Sequence, residues 1–159
     1  IFQFPTGIIR GRFHPKDGQL YLCGMFSWAG NQTTPGGFYR LRATGLPMDL
    51  PIGLNALSDG IQVRFTDPLD PTTAADASRF EARTWSLRRT ENYGSKHFDE
   101  KTLTITSARL LEDGRTVRLA IPGIEPTWCM GLRYDLRGRD GRPVRGEINN
   151  TIHLLNRGN

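Results

Sequence analysis

The chain has 159 residues and 37% hydrophobic side chains, and its 21 lysines and arginines against 16 acidic residues give a net charge of +5. This length fits one domain, or one domain with a short appendage, and no apolar run approaches the roughly 20 residues that a transmembrane helix requires. The basic balance is compatible with an anion-binding patch. Many arginines, however, alternate with apolar residues, so a solvated sheet face is our first interpretation.

The first 37 residues predict a β-hairpin followed by a linker. Apolar runs at 8–13 and 20–26 flank the segment 14–18, whose Asp-Gly pair is typical of a tight turn. The stretch that follows is rich in Gly, Thr and Asn, which favours a loop. We therefore expect residues 1–37 to form a hairpin with its linker and residues 38–159 to form the main domain.

Short alternating strands separated by turns dominate the rest of the chain, which predicts an all-β sandwich or barrel. The predicted strands are 38–43, 61–65, 80–87, 103–111, 117–121, 130–136 and 148–154. Asp70 followed by Pro71 predicts one or two helical turns. The polar segment 88–100 predicts a long loop.

Several motifs of this region resemble bacterial immunoglobulin-like domains of the surface-layer type. The stretch 60–71 (GIQVRFTDPLDP) is similar to the opening strand and Pro-containing turn of those domains. The hairpin 113–119 (DGRTVRL), the tyrosine Tyr134 and the turn 140–143 (DGRP) follow in the same order. The resemblance covers about residues 53–155 and implies an immunoglobulin-like antiparallel β-sandwich.

The whole chain is also similar to the C-terminal end of large exported bacterial multidomain proteins. In these, a β-propeller similar to quinone-dependent sugar dehydrogenases precedes such a module. The segments 18–24 and 90–95 carry this likeness. The resemblance implies an extracytoplasmic location, periplasmic or secreted, and makes residues 1–30 a propeller remnant or a connection from the propeller. No propeller catalytic machinery lies within this sequence, so dehydrogenase activity does not transfer to it.

The two cysteines, Cys23 and Cys129, are far apart in sequence and match no metal-ligand spacing. In an exported protein they could pair as a disulfide. In a cytosolic protein they would be buried as small hydrophobic side chains. The sequence leaves both alternatives open.

The three histidines are the only candidates for a metal centre. His14, His97 and His153, joined by Asp99 or Glu100, have suitable ligand chemistry. His14 is predicted in a turn and His153 in a terminal strand, so nothing in the sequence brings them together. We therefore expect surface or packed histidines, with no metal and no other cofactor.

No complete catalytic set is visible in the sequence. Ser95, His97 and Asp99 are too close along one segment to face each other as a triad, and no nucleophile-elbow motif accompanies them. Paired carboxylates for glycoside hydrolysis lack any sequence feature that sets their separation. The carboxylates considered are Glu81, Glu91, Asp99, Glu100 and Glu125. We accordingly predict no catalytic residue.

Aromatic and polar side chains between strands indicate a ligand site instead. Sugar-binding sandwiches stack exposed aromatic rings on apolar sugar faces and add hydrogen bonds from polar neighbours. The predicted ligand-binding residues are Arg89, Asn92, Tyr93, His97 and Trp128. Trp85 lies within a predicted strand, so we expect it in the core, as in many immunoglobulin-like domains.

The sequence thus predicts a non-catalytic accessory module of an exported bacterial protein that binds carbohydrate through exposed aromatic rings. Two alternatives stay open. One is a structural domain that packs on a neighbouring β-propeller, and the other is a metal-dependent redox enzyme acting on polysaccharide. The expected partner is a polysaccharide or a neighbouring domain of the same protein, and neither nucleic acid nor a membrane is expected.

Overall fold

The computed structural model describes residues 3–26, 32–92 and 94–157. Its contacts divide the chain into two compact units, Ile1–Leu46 and Pro47–Asn159. Every sheet in the described part of the chain is antiparallel. The all-β prediction is therefore confirmed.

The first unit is one three-stranded sheet with the order β1-β2-β3. Its strands are β1 (Gly7–Phe13), β2 (Leu20–Met25) and β3 (Gly36–Leu41). The turn between β1 and β2 closes through a hydrogen bond from the Gly18 amide to the His14 carbonyl, at 2.8 Å. Gly18 has φ +65°, a conformation that glycine adopts without strain. The predicted hairpin is present.

Strand β3 lies in this first sheet, whereas the sequence placed its residues at the start of the main domain. It pairs with β2 along its whole length, and Phe38 lies opposite Cys23. Alternating apolar and basic residues predict a strand but not its pairing partner. The division between the two units accordingly falls after Leu46 and not after residue 37.

The first unit buries little apolar surface. Among its described residues, Leu22 is the only buried hydrophobic side chain, while Phe13 and Phe38 are each 72% exposed. A small sheet needs a covered apolar face for independent stability. The accessible side chains of this sheet are therefore candidates for interaction.

The second unit contains two four-stranded sheets, with the orders β4-β5-β9-β8 and β11-β10-β6-β7. The strands are β4 (Pro51–Leu57), β5 (Gly60–Phe65), β6 (Phe80–Ser86), β7 (Phe98–Leu103), β8 (Ser107–Leu110), β9 (Thr116–Ala120), β10 (Thr127–Arg137) and β11 (Pro143–Ile152). A short helix α1 (Pro71–Ala74) and a 3₁₀ turn (Ala77–Arg79) join β5 to β6.

The core of this unit lies between the two sheets and draws on both. Strands β5 and β9 supply inward side chains from one sheet, and β6, β10 and β11 supply them from the other. The largest fully buried side chains are Phe65, Ile61, Leu69, Leu119, Ile121, Met130, Leu132 and Leu136. In β5 the alternation of apolar with polar residues matches this burial, as expected for a half-buried strand. The architecture is a β-sandwich.

The helical connection follows the predicted capping chemistry. The Asp70 carboxylate accepts a hydrogen bond from the Thr73 amide at 2.8 Å, and Pro71 occupies the first helical turn. The Thr73 hydroxyl in turn accepts a hydrogen bond from the Arg137 amide at 3.1 Å, which ties the connection to β10. This turn carries the chain from one sheet to the other.

The sequence prediction lacks β4, begins β11 five residues late, and differs from the structure between residues 88 and 111. The loop predicted over 88–100 is shorter, because β7 begins at Phe98. The single strand predicted over 103–111 is two strands, β7 and β8, which lie in different sheets. The apolar alternation runs on through the connection because Ile105 also packs against the core, and this hides the crossover in the sequence.

Replacing Gly60 with alanine is expected to lower the free energy of unfolding by roughly 2–4 kcal/mol. Gly60 opens β5 with φ +155°, and a Cβ atom there would overlap the carbonyl oxygen of Leu119 on the paired strand β9. Chemical denaturation measures the loss. Gly53→Ala in β4 is the matched control, since its Cβ would lie 3.9 Å from the Arg64 Cβ. Equal effects of the two substitutions would contradict this interpretation.

Candidate functional site

The loop between β6 and β7 lies beside the first residues of β10. Strands β6 and β10 are paired, with Trp85 opposite Cys129. Strand β6 ends at Ser86, one residue after this pair, and β10 begins at Thr127, two residues before it. The register therefore places the loop 87–97 next to Trp128.

Internal hydrogen bonds close this loop at its base. The Arg88 amide donates to the Ser95 hydroxyl at 3.0 Å, and the Ser95 hydroxyl donates to the Lys96 carbonyl at 2.8 Å. The Arg88 guanidinium stacks over the Phe98 ring, 4.3 Å from its centroid, a cation–π contact. The two ends of the loop are thus held together.

A bulge in β7 shapes the same base. The register between β6 and β7 shifts by one residue between the pairs Thr84–Lys101 and Ser86–Phe98. Asp99 lies in this bulge and has φ 53°. Aspartate tolerates this left-handed conformation better than most residues. The Asp99 carboxylate accepts a hydrogen bond from the Ser86 hydroxyl at 2.8 Å, so the bulge is fastened to the last residue of β6.

An open groove lies between the loop and the strand ends, and we call it the loop groove. From the loop it is lined by Leu87, Arg88, Arg89, Thr90, Glu91, Asn92, Gly94 and Ser95, and from the strands by Trp128, Cys129 and Thr151. The Trp128 side chain is 77% exposed. A Thr151 hydroxyl hydrogen bond to the Trp128 carbonyl, at 2.7 Å, holds the backbone that carries this ring. Among its described residues, the groove therefore combines one aromatic platform with many hydrogen-bonding groups.

Three of the five predicted ligand-binding residues line the loop groove together: Arg89, Asn92 and Trp128. Tyr93 lies outside the described residues. His97 does not line the groove but stacks on the Trp85 ring, with a centroid distance of 4.3 Å and an interplanar angle of 16°. The structure thus brings together the polar loop and Trp128, whereas His97 is not among the residues that line the groove.

Trp85 is on the outer face of its sheet, so the expectation that it packs in the core is wrong. In β6 the buried residues are Phe80 and Ala82, and the alternation of a strand turns Trp85 the other way. Gly131 on β10 makes room for the ring, since a Cβ there would lie 3.2 Å from a Trp85 ring carbon. Periodicity identified this strand but not which of its faces is buried.

Charged side chains beside Trp85 form a chain of ion pairs. Arg83 bonds Glu100 at 3.0 Å and Glu147 at 3.3 Å, and Glu147 also accepts from the Arg133 Nε at 2.9 Å. His97 Nδ1 lies 3.6 Å from the other Glu100 oxygen. These groups neutralise one another across four elements of the same sheet face, so they leave little free charge for a ligand.

Glu147→Gln is expected to lower the melting temperature at neutral pH by about 1–4 °C, the range for a surface ion pair. The hydrogen bond from Arg133 lowers the pKa of Glu147 below its usual 4.5. A lowered carboxyl pKa stabilises the folded state above about 4.5, and this stabilisation is lost as the pH falls through the folded-state pKa. The melting temperatures of the variant and the wild type should therefore converge near pH 3. A constant difference from pH 7 to pH 3 would contradict this account.

Ser95, His97 and Asp99, which the sequence does not favour as a triad, make separate contacts in the structure. The Ser95 hydroxyl donates to a backbone carbonyl, and His97 is engaged with Trp85 and Glu100. Asp99 accepts from Ser86 and not from a histidine. These three residues instead stabilise the base of the loop and the outer sheet face.

The sequence also raised a histidine metal site and a disulfide between the two cysteines. His14 lies in the β1–β2 turn, 3.3 Å from Asp17, while His153 follows β11. Across residues 3–26, 32–92 and 94–157, no group of three or more His, Cys, Asp or Glu side chains is placed to hold a metal ion. Cys23 is exposed, Cys129 is half-buried, and both thiols are free.

A second groove on the same sheet has most of its charges paired internally. It is lined in part by Asp76, Arg79, Asp135 and Arg145. Arg79 bonds Asp76 at 3.4 Å, and Arg145 bonds Asp135 at 2.7 Å. By contrast, no ion pair to Arg89 is found in the described part of the chain. The loop groove is therefore the better candidate for holding a polar ligand.

Sequence reasoning missed Cys129 and Thr151 as neighbours of the loop. Both belong to the groove only because β10 pairs with β6 on one side and with β11 on the other. Neither residue type signals a site by itself. Only the register of the three strands identifies these two side chains.

Comparisons of the chain with protein-family models, with curated proteins and with solved structures gave no match. Among the residues that the structure describes, no helix has the length and hydrophobicity needed to cross a membrane.

Proposed function

We propose that the chain is a non-catalytic accessory module that binds carbohydrate in the loop groove. The main support for this proposal is the Trp128 ring, which is 77% exposed and lies beside a polar loop that is closed at its base. A sugar has apolar ring faces and a rim of hydroxyls. It therefore matches an exposed aromatic ring with hydrogen-bonding neighbours.

The polar partners in this proposal are Arg89 and Asn92. A guanidinium offers five N–H donors, and an asparagine amide offers both a donor and an acceptor. Both side chains line the groove with Trp128. Stacking would supply most of the contact area, while these two groups would orient the sugar ring.

The strand order supports the further proposal that the second unit is immunoglobulin-like. When β4 to β11 are lettered A, B, C, C′, D, E, F and G, one sheet has the order A-B-E-D and the other G-F-C-C′. The constant-type immunoglobulin fold has the sheets ABED and CFG. The strand order of the second unit matches these two sheets with one added strand, β7, and this match supports the proposal.

A structural role is the second candidate function, and a specific observation favours it. In the second unit, the segment around the start of β4 exposes three large apolar side chains: Met48, Leu50 and Ile52. Clustered exposed apolar residues commonly mark protein contacts. In this alternative the module packs on a neighbouring domain such as a propeller through that segment.

Affinity electrophoresis tests the carbohydrate proposal. The whole chain is run toward the cathode, as its net charge of +5 requires, in native gels that contain a panel of neutral polysaccharides. Retardation by at least one polymer, reversed by its soluble oligosaccharides, is the expected result. Unchanged mobility with every polymer would overturn the proposal in favour of the structural role.

A further inference from the structure

One face of the first sheet presents arginine and aromatic side chains in register. Arg12 lies opposite Tyr21, and Tyr21 lies opposite Arg40. In the next row, Arg10 lies opposite Cys23, which lies opposite Phe38. Directly paired residues in antiparallel strands share a face, so these side chains form one surface. We call it the cationic face and define it by Arg10, Arg12, Tyr21, Phe38 and Arg40.

The first unit carries most of the net charge of the chain. Residues 1–46 hold five basic side chains and one acidic side chain, so four of the five net positive charges lie there. The three arginines of the cationic face are exposed, and no ion pair to any of them is found in the described residues. Arg12 donates one hydrogen bond, to the Gly11 carbonyl at 2.8 Å. Their guanidinium groups are available to an anion.

The single acidic residue of this unit is already engaged. The Asp17 carboxylate accepts hydrogen bonds from the Gln19 amide and the Tyr21 hydroxyl, each at 3.0 Å, and lies 3.3 Å from His14. Asp17 therefore positions Tyr21 and does not neutralise the arginines. The charge of the cationic face remains available for a ligand.

The spacing of the arginines suits a chain of anions rather than one small anion. Arg12 and Arg40 flank the central strand and are two strand spacings apart, roughly 9.5 Å between backbones. Arg10 and Arg12 lie on the same strand, and a bulge separates Arg10 from Ile8. A linear polymer that bears repeated carboxylate or sulfate groups can contact several of these guanidiniums at once, and each pair of anionic oxygens fits the guanidinium fork.

The aromatic side chains of the cationic face favour an acidic polysaccharide over a single-stranded nucleic acid. Phe38 is 72% exposed. Tyr21 is half-buried, and its hydroxyl donates a hydrogen bond to Asp17. Its ring centroid lies 5.6 Å from that of His14 and 5.8 Å from that of Phe38. Single-stranded nucleic acids stack successive bases on several free rings, and this face offers one. One free ring beside guanidiniums matches the apolar face of a sugar that carries an acidic group.

We propose that the cationic face of the first sheet binds a linear anionic polysaccharide. Arg10, Arg12 and Arg40 hold its carboxylate or sulfate groups, and Phe38 stacks on one sugar ring. This site lies in the first unit and takes a charged polymer, so it is independent of the loop groove of the second unit.

Calorimetry with the whole chain at low ionic strength tests this proposal. The probes are polygalacturonate for carboxylate, dextran sulfate for sulfate, neutral dextran, and an oligothymidylate for nucleic acid. The test variant combines Arg10→Gln, Arg12→Gln and Arg40→Gln. The control variant combines Arg109→Gln, Arg139→Gln and Arg157→Gln, three exposed arginines of the second unit, and removes the same charge.

The expected result is binding to polygalacturonate, dextran sulfate or both, and the comparison of the two identifies the anionic group. The test variant should bind at least about tenfold more weakly, the control variant within about twofold of the wild type, and Phe38→Ala several-fold more weakly. Trp128→Ala should leave this binding unchanged, which separates it from the loop groove.

Three results would overturn the proposal. The first is no binding to either anionic polysaccharide. The second is an equal loss in the test and control variants, which would indicate net charge alone. The third is tighter binding of the oligothymidylate than of both polysaccharides, which would assign the face to single-stranded nucleic acid. If the triple variant fails to fold, the Phe38→Ala variant tests the proposal instead. Its melting curve should match that of the wild type, so that a loss of binding reflects the missing ring.

Discussion

Trp128→Ala is expected to weaken binding of the retained polysaccharide at least about tenfold, which corresponds to 1.4 kcal/mol or more. Trp128 is the one strongly exposed aromatic ring among the described residues of the loop groove. Tryptophan is among the residues whose truncation most often costs over 2 kcal/mol in binding sites. Isothermal titration of the wild type and the variant with the same oligosaccharide measures the difference.

The matched control for this substitution is Ile52→Ala. Ile52 is 60% exposed and lies in β4, which belongs to the other sheet. Both substitutions remove exposed side chains, so each should change the free energy of unfolding by no more than about 0.5 kcal/mol. Binding by the Trp128→Ala protein as tight as that of the Ile52→Ala protein would contradict the stacking role of Trp128.

Phe65→Ala is expected to lower the free energy of unfolding of the second unit by about 3–5 kcal/mol. Phe65 is 1% exposed, and its ring packs edge-on against Tyr134 from the opposite sheet, with centroids 5.4 Å apart. Alanine would leave a cavity between the two sheets and remove this aromatic pair. Typical domains have a total stability of 5–15 kcal/mol, so this loss is a large fraction of the whole.

Urea denaturation followed by far-ultraviolet circular dichroism measures this loss. Ile61→Val, in the same strand and fully buried, is the matched control and should cost about 0.5–1.5 kcal/mol. A Phe65→Ala effect no larger than that of Ile61→Val would contradict the placement of Phe65 at the centre of the core.

Much of the fold follows from local sequence patterns. The alternation at Ile61, Val63 and Phe65 predicts a half-buried strand, and Asp70 with Pro71 predicts the helical turn that follows. These features depend on residues close together in the chain. The structure accordingly agrees with the sequence at these places.

Pairing partners and buried faces could not be predicted in the same way. The strand with Phe38 pairs with β2, and Trp85 faces outward over Gly131. Both outcomes depend on contacts between residues distant in sequence, which a single alternating pattern does not contain. The crossover between β7 and β8 was missed for the same reason, since the apolar period continues through it.

In the candidate site too, residue types could be predicted from the sequence, but their positions relative to one another could not. The composition of the loop 87–97 predicts Arg89 and Asn92 as candidate polar partners for a sugar, and both line the loop groove with Trp128. His97 has the same chemistry, but it stacks on Trp85. Residue type indicates which side chains can bind a ligand, and strand register decides which of them lie together.

Sugar is proposed to bind between Trp128 and the loop 87–97. A titration of the ¹⁵N-labelled chain with an oligosaccharide from the retained polysaccharide, followed by NMR, tests this claim most directly. The predicted result is a saturable shift of the Trp128 indole N–H signal together with the Arg89 and Asn92 amides, while the Trp85 indole signal stays in place. Saturable shifts confined to residues outside the loop groove, with Trp128 unmoved, would contradict the claim.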